Sequence, residues 1–251
     1  MKKKGSTVPR EARGLLRDLK KLFPNWAMLL MVQFAVANAR SKKLPKWRED
    51  QLVSFITMLG LSAVDLTQGY RERRITKLAW ATRNLMELSV WIDYCNLSVQ
   101  HAKRFRDDTM RDLYGLSSAV QKSVVIESGA KDRTLEQKLE EFANFAQSKG
   151  VQDLDDDFKR VSEAAQEVGR PAFGSANKLL SKFAHPTALA IHTVASVEAV
   201  DGYRLMFLGD GVGFAVNSLI AVRKFVRGHY PQVGMTAKEA VKFRRELSRE
   251  K

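Results

Sequence analysis

The most regular apolar pattern of the chain lies at Leu78–Val99, LAWATRNLMELSVWIDYCNLSV. Its apolar residues recur at alternating spacings of three and four, the period of one face of an α-helix. They are Leu78, Ala81, Leu85, Leu88, Ile92, Cys95 and Val99. Neither glycine nor proline occurs between Gly69 and Gly115. Because these two residue types break helices most strongly, the sequence predicts one very long helix here, or two helices joined by a short break near Asp107-Asp108.

The rest of the chain also has the pattern of a helical protein. It has 251 residues and only six prolines, and we expect Gly129, Gly150 and Gly169 to separate helices of ordinary length. Thr134 with Gln137 fits a capping box at the start of one of these helices. The predicted fold class is therefore all-α, a multi-helix bundle around a long central helix.

Two further features set the predicted organisation. The one strand-like run, Tyr203–Leu208, lies between glycine-containing stretches, so at most one small β-hairpin is expected near 203–212. A chain of this length can fold as a single large domain. We expect residues 1–44 to form an N-terminal helical pair that packs on a main helical domain of residues 45–251.

The chain is strongly basic, and its charge is uneven. Lys and Arg number 42 against 28 Asp and Glu, which gives a net charge of +14 and a pI near 9.9. Residues 1–126 carry about +12, residues 127–169 about −5 and residues 170–251 about +7. Such an excess favours a polyanionic partner, either nucleic acid or an anionic membrane surface. Contiguous basic groups occur at Lys2-Lys3-Lys4, Arg71-Glu72-Arg73-Arg74 and Arg244-Arg245.

Cysteine content and hydropathy bear on the location of the protein. The single cysteine, Cys95, excludes a disulfide framework and a cysteine zinc cage, and it fits a reducing cytoplasm. The apolar run Trp26–Ala37 is shorter than the roughly 20 residues of a membrane helix, so no membrane span is expected. Ala37-Asn38-Ala39 resembles a signal-peptidase site, yet Glu11 and Asp18 in the amphipathic stretch before it favour a buried helix of a cytoplasmic protein.

Arg83 and Glu87 are the first candidate site residues. At about 100° per residue they project from the side of the helix opposite the apolar seam, a side that also carries Trp80, Trp91 and Tyr94. A helix that is apolar on two sides is normally buried, and buried charges must pair or bind a ligand. Two interpretations stay open. One is an internal Arg–Glu ion pair that links helices, and the other is an anion or substrate site to which Tyr94 contributes.

A second candidate site lies at Ser175–Pro186, SANKLLSKFAHP. In a helix of this sequence, Lys178, Ser181 and His185 share the polar face. Pro186 disfavours helix at the residue before it, which places His185 at a helix end or kink. A histidine there can act as a general base or bind phosphate near neutral pH. The alternative is a helix-terminal histidine that bonds only to the backbone.

The two motifs together resemble a known kind of protein. Arg83-Asn-Leu-Met-Glu87 on a long helix, paired with Ser181-Lys-Phe-Ala-His185-Pro186 on a later one, resembles an uncharacterised bacterial all-helical family that is loosely similar to HEPN proteins. The resemblance covers residues 50–230 in organisation and implies site roles for Arg83, Glu87, Ser181 and His185. HEPN ribonucleases use an Arg followed four to six residues later by a His, and that spacing occurs here at Arg223-Lys-Phe-Val-Arg-Gly-His229.

The function we expect is that of an intracellular protein that binds or acts on RNA or nucleotides, such as a metal-independent ribonuclease of toxin or defence type. In that mechanism His185 takes a proton from a 2′-hydroxyl, Arg83 balances phosphate charge and Glu87 orients them. Lys178 and Ser181 would hold the phosphate. The rival is a non-catalytic helical interaction module that binds nucleic acid or an acidic protein. No metal or cofactor is expected, because the histidines lack ligand spacing, and a homodimer stays open.

Overall fold

The structure is a computed structural model of the chain. It describes residues 10–21, 23–129, 132–151, 153–154, 158–185, 187–194, 196–231 and 233. Ten α-helices make up 86% of these residues, and no strand occurs among them, which confirms the all-α class. The helices are α1 (Arg10–Lys21), α2 (Phe23–Ser41), α3 (Lys46–Arg71), α4 (Ile75–Leu97), α5 (Val99–Ser128), α6 (Arg133–Ser148), α7 (Val161–Glu167), α8 (Phe173–Ala184), α9 (Ala188–Val194) and α10 (Val197–His229).

The predicted β-hairpin near 203–212 is wrong. Tyr203–Leu208 and the glycines after it lie inside α10, which continues through them without a break. The last two residues of the run are fully buried, so the run is a buried helical segment, which a short apolar stretch cannot distinguish from a strand. Gly211 does not form a turn but lets α10 pack closely against α3, since a β-carbon there would lie 2.7 Å from both methyl carbons of Leu66.

The long central stretch is two helices, but they meet at Ser98 and not near Asp107-Asp108. The backbone of Ser98 is extended, with φ −161° and ψ 169°, and its hydroxyl accepts a hydrogen bond from the N–H of His101 at 3.2 Å. Asp107 and Asp108 are buried within α5. A serine cap satisfies a helix N–H that otherwise has no partner, so this break needs neither glycine nor proline.

Glycines end three helices where the sequence predicts it. Gly129, Gly150 and Gly169 follow α5, α6 and α7, with φ of 72°, 78° and 69°. This left-handed conformation clashes with a β-carbon in other residues and costs glycine little. The local sequence therefore sets these helix ends.

The predicted capping box of Thr134 with Gln137 is wrong. Asp132 is the N-cap of α6, and its Oδ1 accepts hydrogen bonds from the N–H groups of Thr134 at 2.8 Å and Leu135 at 3.1 Å. Thr134 lies inside the first turn, because the aspartate two residues earlier already satisfies the helix N–H groups.

The helices form two units. Unit 1 comprises Met1–Asp93 and Gly169–Lys251, and unit 2 comprises Tyr94–Val168. Within unit 1, α3 packs against α2 and α10, and α1 contacts all three of these helices. Within unit 2, α5 packs against α6. The expected separation of residues 1–44 from residues 45–251 stays a prediction.

Within unit 1, α4 comes close to α3 and to α10. Gly69 in α3 lies so near to α4 that a β-carbon there would be 2.9 Å from the backbone nitrogen of Leu78. The Thr82 hydroxyl of α4 donates to the carbonyl oxygen of Phe207 in α10, 2.9 Å away. Thr82 and Phe207 are fully buried, so water cannot replace this hydrogen bond if it is broken.

Unit 1 is interrupted in sequence by unit 2, and an ion pair joins the two sides of the interruption. The chain leaves unit 1 after Asp93 and returns at Gly169. Arg170 donates to the Asp93 carboxylate and to the Ser89 hydroxyl. These bonds hold the start of the second segment of unit 1 against α4.

Among the residues that the structure describes, two helices are long and apolar enough to cross a membrane, judged by length and composition alone. They are α3, with a mean hydropathy of 1.3, and Val200–His229 of α10, with 1.7. In the most apolar 18-residue stretch of each helix, 50% and 44% of the stretch is buried inside the protein. Core helices of soluble proteins are also long, apolar and buried. The expected absence of a membrane span stays a prediction.

Gly69→Ala tests the close approach of α3 and α4, with Gly60→Ala in the same helix as its control. A methyl group at position 69 meets backbone, so we expect the free energy of unfolding to fall by about 1–3 kcal/mol. A methyl group at position 60 meets nothing within 4 Å. Gly60→Ala should therefore raise the free energy of unfolding by about 0.5–1 kcal/mol, because alanine has the higher helix propensity. Urea unfolding followed by circular dichroism measures both, and equal effects would contradict the close approach.

Candidate functional site

Arg83 and Glu87 form an ion pair one turn apart on α4. Arg83 Nε lies 2.9 Å from Glu87 Oε1, and the two side chains are 29% and 26% exposed. Of the two interpretations, the Arg–Glu ion pair is present, but it lies within α4 and is about a quarter exposed, whereas the prediction was an internal pair that links helices. Their catalytic roles stay predictions.

Lys178, Ser181 and His185 lie on α8 and at its end. Lys178 and His185 are exposed, and Ser181 is half-buried. His185 is the C-cap of α8 in extended backbone, and its N–H donates to the carbonyl oxygen of Ser181 at 3.3 Å. The predicted helix end at His185 is confirmed, while Pro186 lies outside the described residues.

The ion pair and the residues of α8 are not joined by a polar contact. Across the described part of the chain, no hydrogen bond or ion pair connects His185 with Arg83 or Glu87. The carboxylate of Glu87 is occupied by Arg83. The structure therefore offers no contact through which Glu87 would orient the imidazole.

Tyr94 belongs to unit 2, whereas the other five predicted site residues belong to unit 1. Its side chain is buried, and its ring packs edge-on against that of His101 with centroids 4.8 Å apart. Burial raises the pKa of the Tyr94 hydroxyl to about 12, because a buried phenolate loses its hydration. The hydroxyl therefore stays protonated at neutral pH and can serve as a hydrogen-bond donor.

Positive charge gathers at one end of unit 1, where the turn between α2 and α3 meets the end of α10. Lys43 Nζ donates to the carbonyl oxygen of His229 at 2.9 Å, and the Arg48 guanidinium lies over the Phe225 ring at 4.6 Å. These contacts join two segments that are far apart in sequence. We call this junction of residues 40–50 with residues 223–230 the basic end. Its two segments carry eight cations, which are Arg40, Lys42, Lys43, Lys46, Arg48, Arg223, Lys224 and Arg227.

A buried hydrogen-bond network fixes the basic end. The Tyr230 side chain has no exposed surface, and its hydroxyl donates to Asn38 Oδ1 and accepts from the N–H of Leu44 at 3.1 Å. The side-chain amide of Asn38 also donates to Glu49 Oε2 at 2.7 Å. Each of these buried polar groups thus has the partner that burial requires.

The basic end has more cations than its acids neutralise. Its eight Lys and Arg side chains face two acids, Glu49 and Asp50, and both acids pair with Lys46 at 3.6 and 3.0 Å. Six of the cations are exposed, whereas Arg48 is buried and Arg223 half-buried. A surplus of like charge on one surface attracts polyanions over a distance of several ångströms.

Sequence reasoning missed the basic end. It singled out groups that are contiguous in sequence, and of these Lys2–Lys4 and Arg244-Arg245 lie outside the described residues. The only sequence signal that falls on the basic end is the Arg223–His229 spacing on α10. Paired basic residues at Lys42-Lys43 and Arg223-Lys224 could have been noted, but their meeting depends on tertiary packing.

Comparison with known proteins gives this chain no family. No family model, no curated protein and no solved structure matches it. The resemblance to HEPN-like helical proteins therefore stays a prediction. Among the residues that the structure describes, no group of three or more His, Cys, Asp or Glu side chains is placed to hold a metal ion.

A double-mutant cycle tests how strongly Arg83 and Glu87 interact. An ion pair at this helical spacing contributes about 0.3–0.5 kcal/mol when exposed. Because both side chains are less than one-third exposed, we expect a coupling energy of about 0.5–1 kcal/mol. Urea unfolding of Arg83→Ala, Glu87→Ala and the double variant measures it. A coupling energy above about 3 kcal/mol would instead indicate a desolvated ion pair, in which removal of one partner leaves the other charge buried and unpaired.

Proposed function

We propose that the protein binds nucleic acid through its backbone phosphates at the basic end. The proposal rests on the meeting of residues 40–50 with residues 223–230, two segments that together carry eight cations against two acids. The Tyr230 contacts that join the two segments are buried, so the segments that carry the cations are held together before a ligand binds. A preformed surface loses less conformational freedom on binding than a flexible tail does.

Phosphate groups are the chemistry that this surface matches. Lys and Arg side chains bind phosphate oxygens, and each neutralised phosphate releases counterions, so affinity falls as the salt concentration rises. Contacts of this kind position a nucleic acid without reading its sequence. We therefore expect binding of RNA with steep salt dependence and little sequence preference.

Binding at the basic end needs no catalysis and agrees with the interaction-module alternative. RNA cleavage by His185 with Arg83 and Glu87 stays a prediction, and a denaturing gel of RNA incubated with wild type and His185→Ala tests it. Lys178 and Ser181 as phosphate ligands stay predictions too. The same holds for a toxin or defence role, a cytoplasmic location and a homodimer.

Lys42→Gln/Lys224→Gln removes one exposed cation from each segment of the basic end and leaves the buried network intact. We expect its affinity for a fluorescent single-stranded RNA to fall about tenfold at low salt, because two phosphate contacts are lost. The slope of log affinity against log salt should decrease by about 1.4, at about 0.7 for each contact on a single strand. Fluorescence anisotropy titrations at several salt concentrations measure both quantities.

Lys178→Gln/Lys182→Gln is the comparison variant, and it decides between the basic end and α8, where Lys178 stays a predicted phosphate ligand. It removes the same charge from two exposed lysines of unit 1 that lie on α8. Its affinity and salt slope should equal those of wild type. If this variant lost affinity while Lys42→Gln/Lys224→Gln kept it, nucleic acid would bind at α8 and the proposal would be wrong. Absence of RNA binding by wild type even at low salt would contradict it as well.

A further inference from the structure

Unit 2 has a cleft of its own, built from residues that the basic end does not use. Its volume is about 540 Å³, within the size range of small-molecule sites. Three of its lining residues are cations and one is an acid. We call it the Tyr94 cleft, and it is lined by Tyr94, Arg104, Phe158, Lys159, Arg160 and Glu163.

A buried carboxylate fixes the cationic side of the Tyr94 cleft. Asp108, which is 7% exposed, accepts from Arg104 Nε at 2.9 Å and from the backbone N–H of Lys159 at 3.0 Å. Arg111 also donates to this carboxylate at 2.9 Å. With these donors the buried charge is compensated. It ties α5 to the segment that precedes α7, so two of the lining residues are held in place.

Two further charged groups of the cleft, the Lys159 ammonium and the Glu163 carboxylate, are also held by contacts within unit 2. The Lys159 ammonium pairs with Glu167 and lies 5.9 Å from the centre of the Tyr94 ring. Glu163 Oε2 accepts a hydrogen bond from the backbone N–H of Arg160 at 3.1 Å. The cleft therefore has a defined arrangement of charges, which is the condition for selective binding of a small ligand.

Phe158 gives the cleft an apolar face. Its side chain is 49% exposed. In the sequence, Phe158 immediately precedes Lys159 and Arg160. A single exposed aromatic ring is ordinary on a protein surface, but a ring among cations in a cleft is suited to stack on a nucleobase while the cations bind phosphate. The Glu163 carboxylate is an acceptor for sugar hydroxyl or base amino groups.

We propose that the Tyr94 cleft binds a nucleoside monophosphate. The phosphate contacts Arg104, Lys159 and Arg160, and the base stacks on Phe158. The cleft is large enough for a ligand of this size. This site is separate from the nucleic-acid surface proposed above, because the two share no residue, and either proposal can hold without the other.

Isothermal titration calorimetry of the full chain tests the proposal with AMP, GMP, CMP and UMP. Ribose 5-phosphate and inorganic phosphate serve as probes that lack the base. At least one nucleotide should bind more tightly than both probes. Phe158→Leu should weaken nucleotide binding by about tenfold and leave ribose 5-phosphate unchanged, because only the stacking contact is lost. Arg160→Gln should weaken the binding of nucleotides and of ribose 5-phosphate alike.

Phe145→Leu and Lys138→Gln are the matched controls, since Phe145 is also 49% exposed and both residues lie on α6 of the same unit. Both controls should bind nucleotides as wild type does, and so should Lys42→Gln/Lys224→Gln, which separates this site from the basic end. The proposal is overturned if wild type binds no nucleotide. It is also overturned if inorganic phosphate binds as tightly as nucleotides do. The same holds if Phe158→Leu and Arg160→Gln bind nucleotides with the affinity of wild type.

Discussion

The hydrogen bonds of the Tyr230 hydroxyl are the interaction on which the basic end depends. The two segments that meet there carry eight cations, and their junction is fixed by hydrogen bonds among Tyr230, Asn38 and Leu44. Because these groups are buried, loss of one hydrogen bond leaves a polar group without a partner, which costs about 1–3 kcal/mol. The pairing of Lys46 with two acids offsets only part of this positive charge, so the network makes the concentration of charge possible.

The two proposed anion sites use charge in different ways. At the basic end most cations are exposed and outnumber the acids, so electrostatic attraction dominates and salt screens it. In the Tyr94 cleft, Arg104 and Lys159 are already paired with Asp108 and Glu167, so stacking on Phe158 carries more of the selectivity. The first arrangement suits a polymer with many phosphates, and the second suits one nucleotide.

Local features of the fold could be predicted from the sequence, whereas long-range ones could not. Glycine spacing and apolar periodicity gave the all-α class and three helix ends, but a serine cap placed the break at Ser98. Tyr203–Leu208 was misread because short strands and buried helical segments look alike. The Arg83–Glu87 pair was predictable because its members are one turn apart. The basic end was not, because Lys43 and His229 are 186 residues apart and only packing joins them.

Lysine acetylation read by mass spectrometry, with and without bound single-stranded RNA, shows where on the protein RNA binds. Reactivity of each exposed lysine reports whether RNA covers it. The account predicts protection of the exposed lysines of the basic end, which are Lys42, Lys43, Lys46 and Lys224. It predicts unchanged reactivity at Lys178 and Lys182 on α8. Protection at Lys178 and Lys182 with unchanged reactivity at the basic end would contradict it.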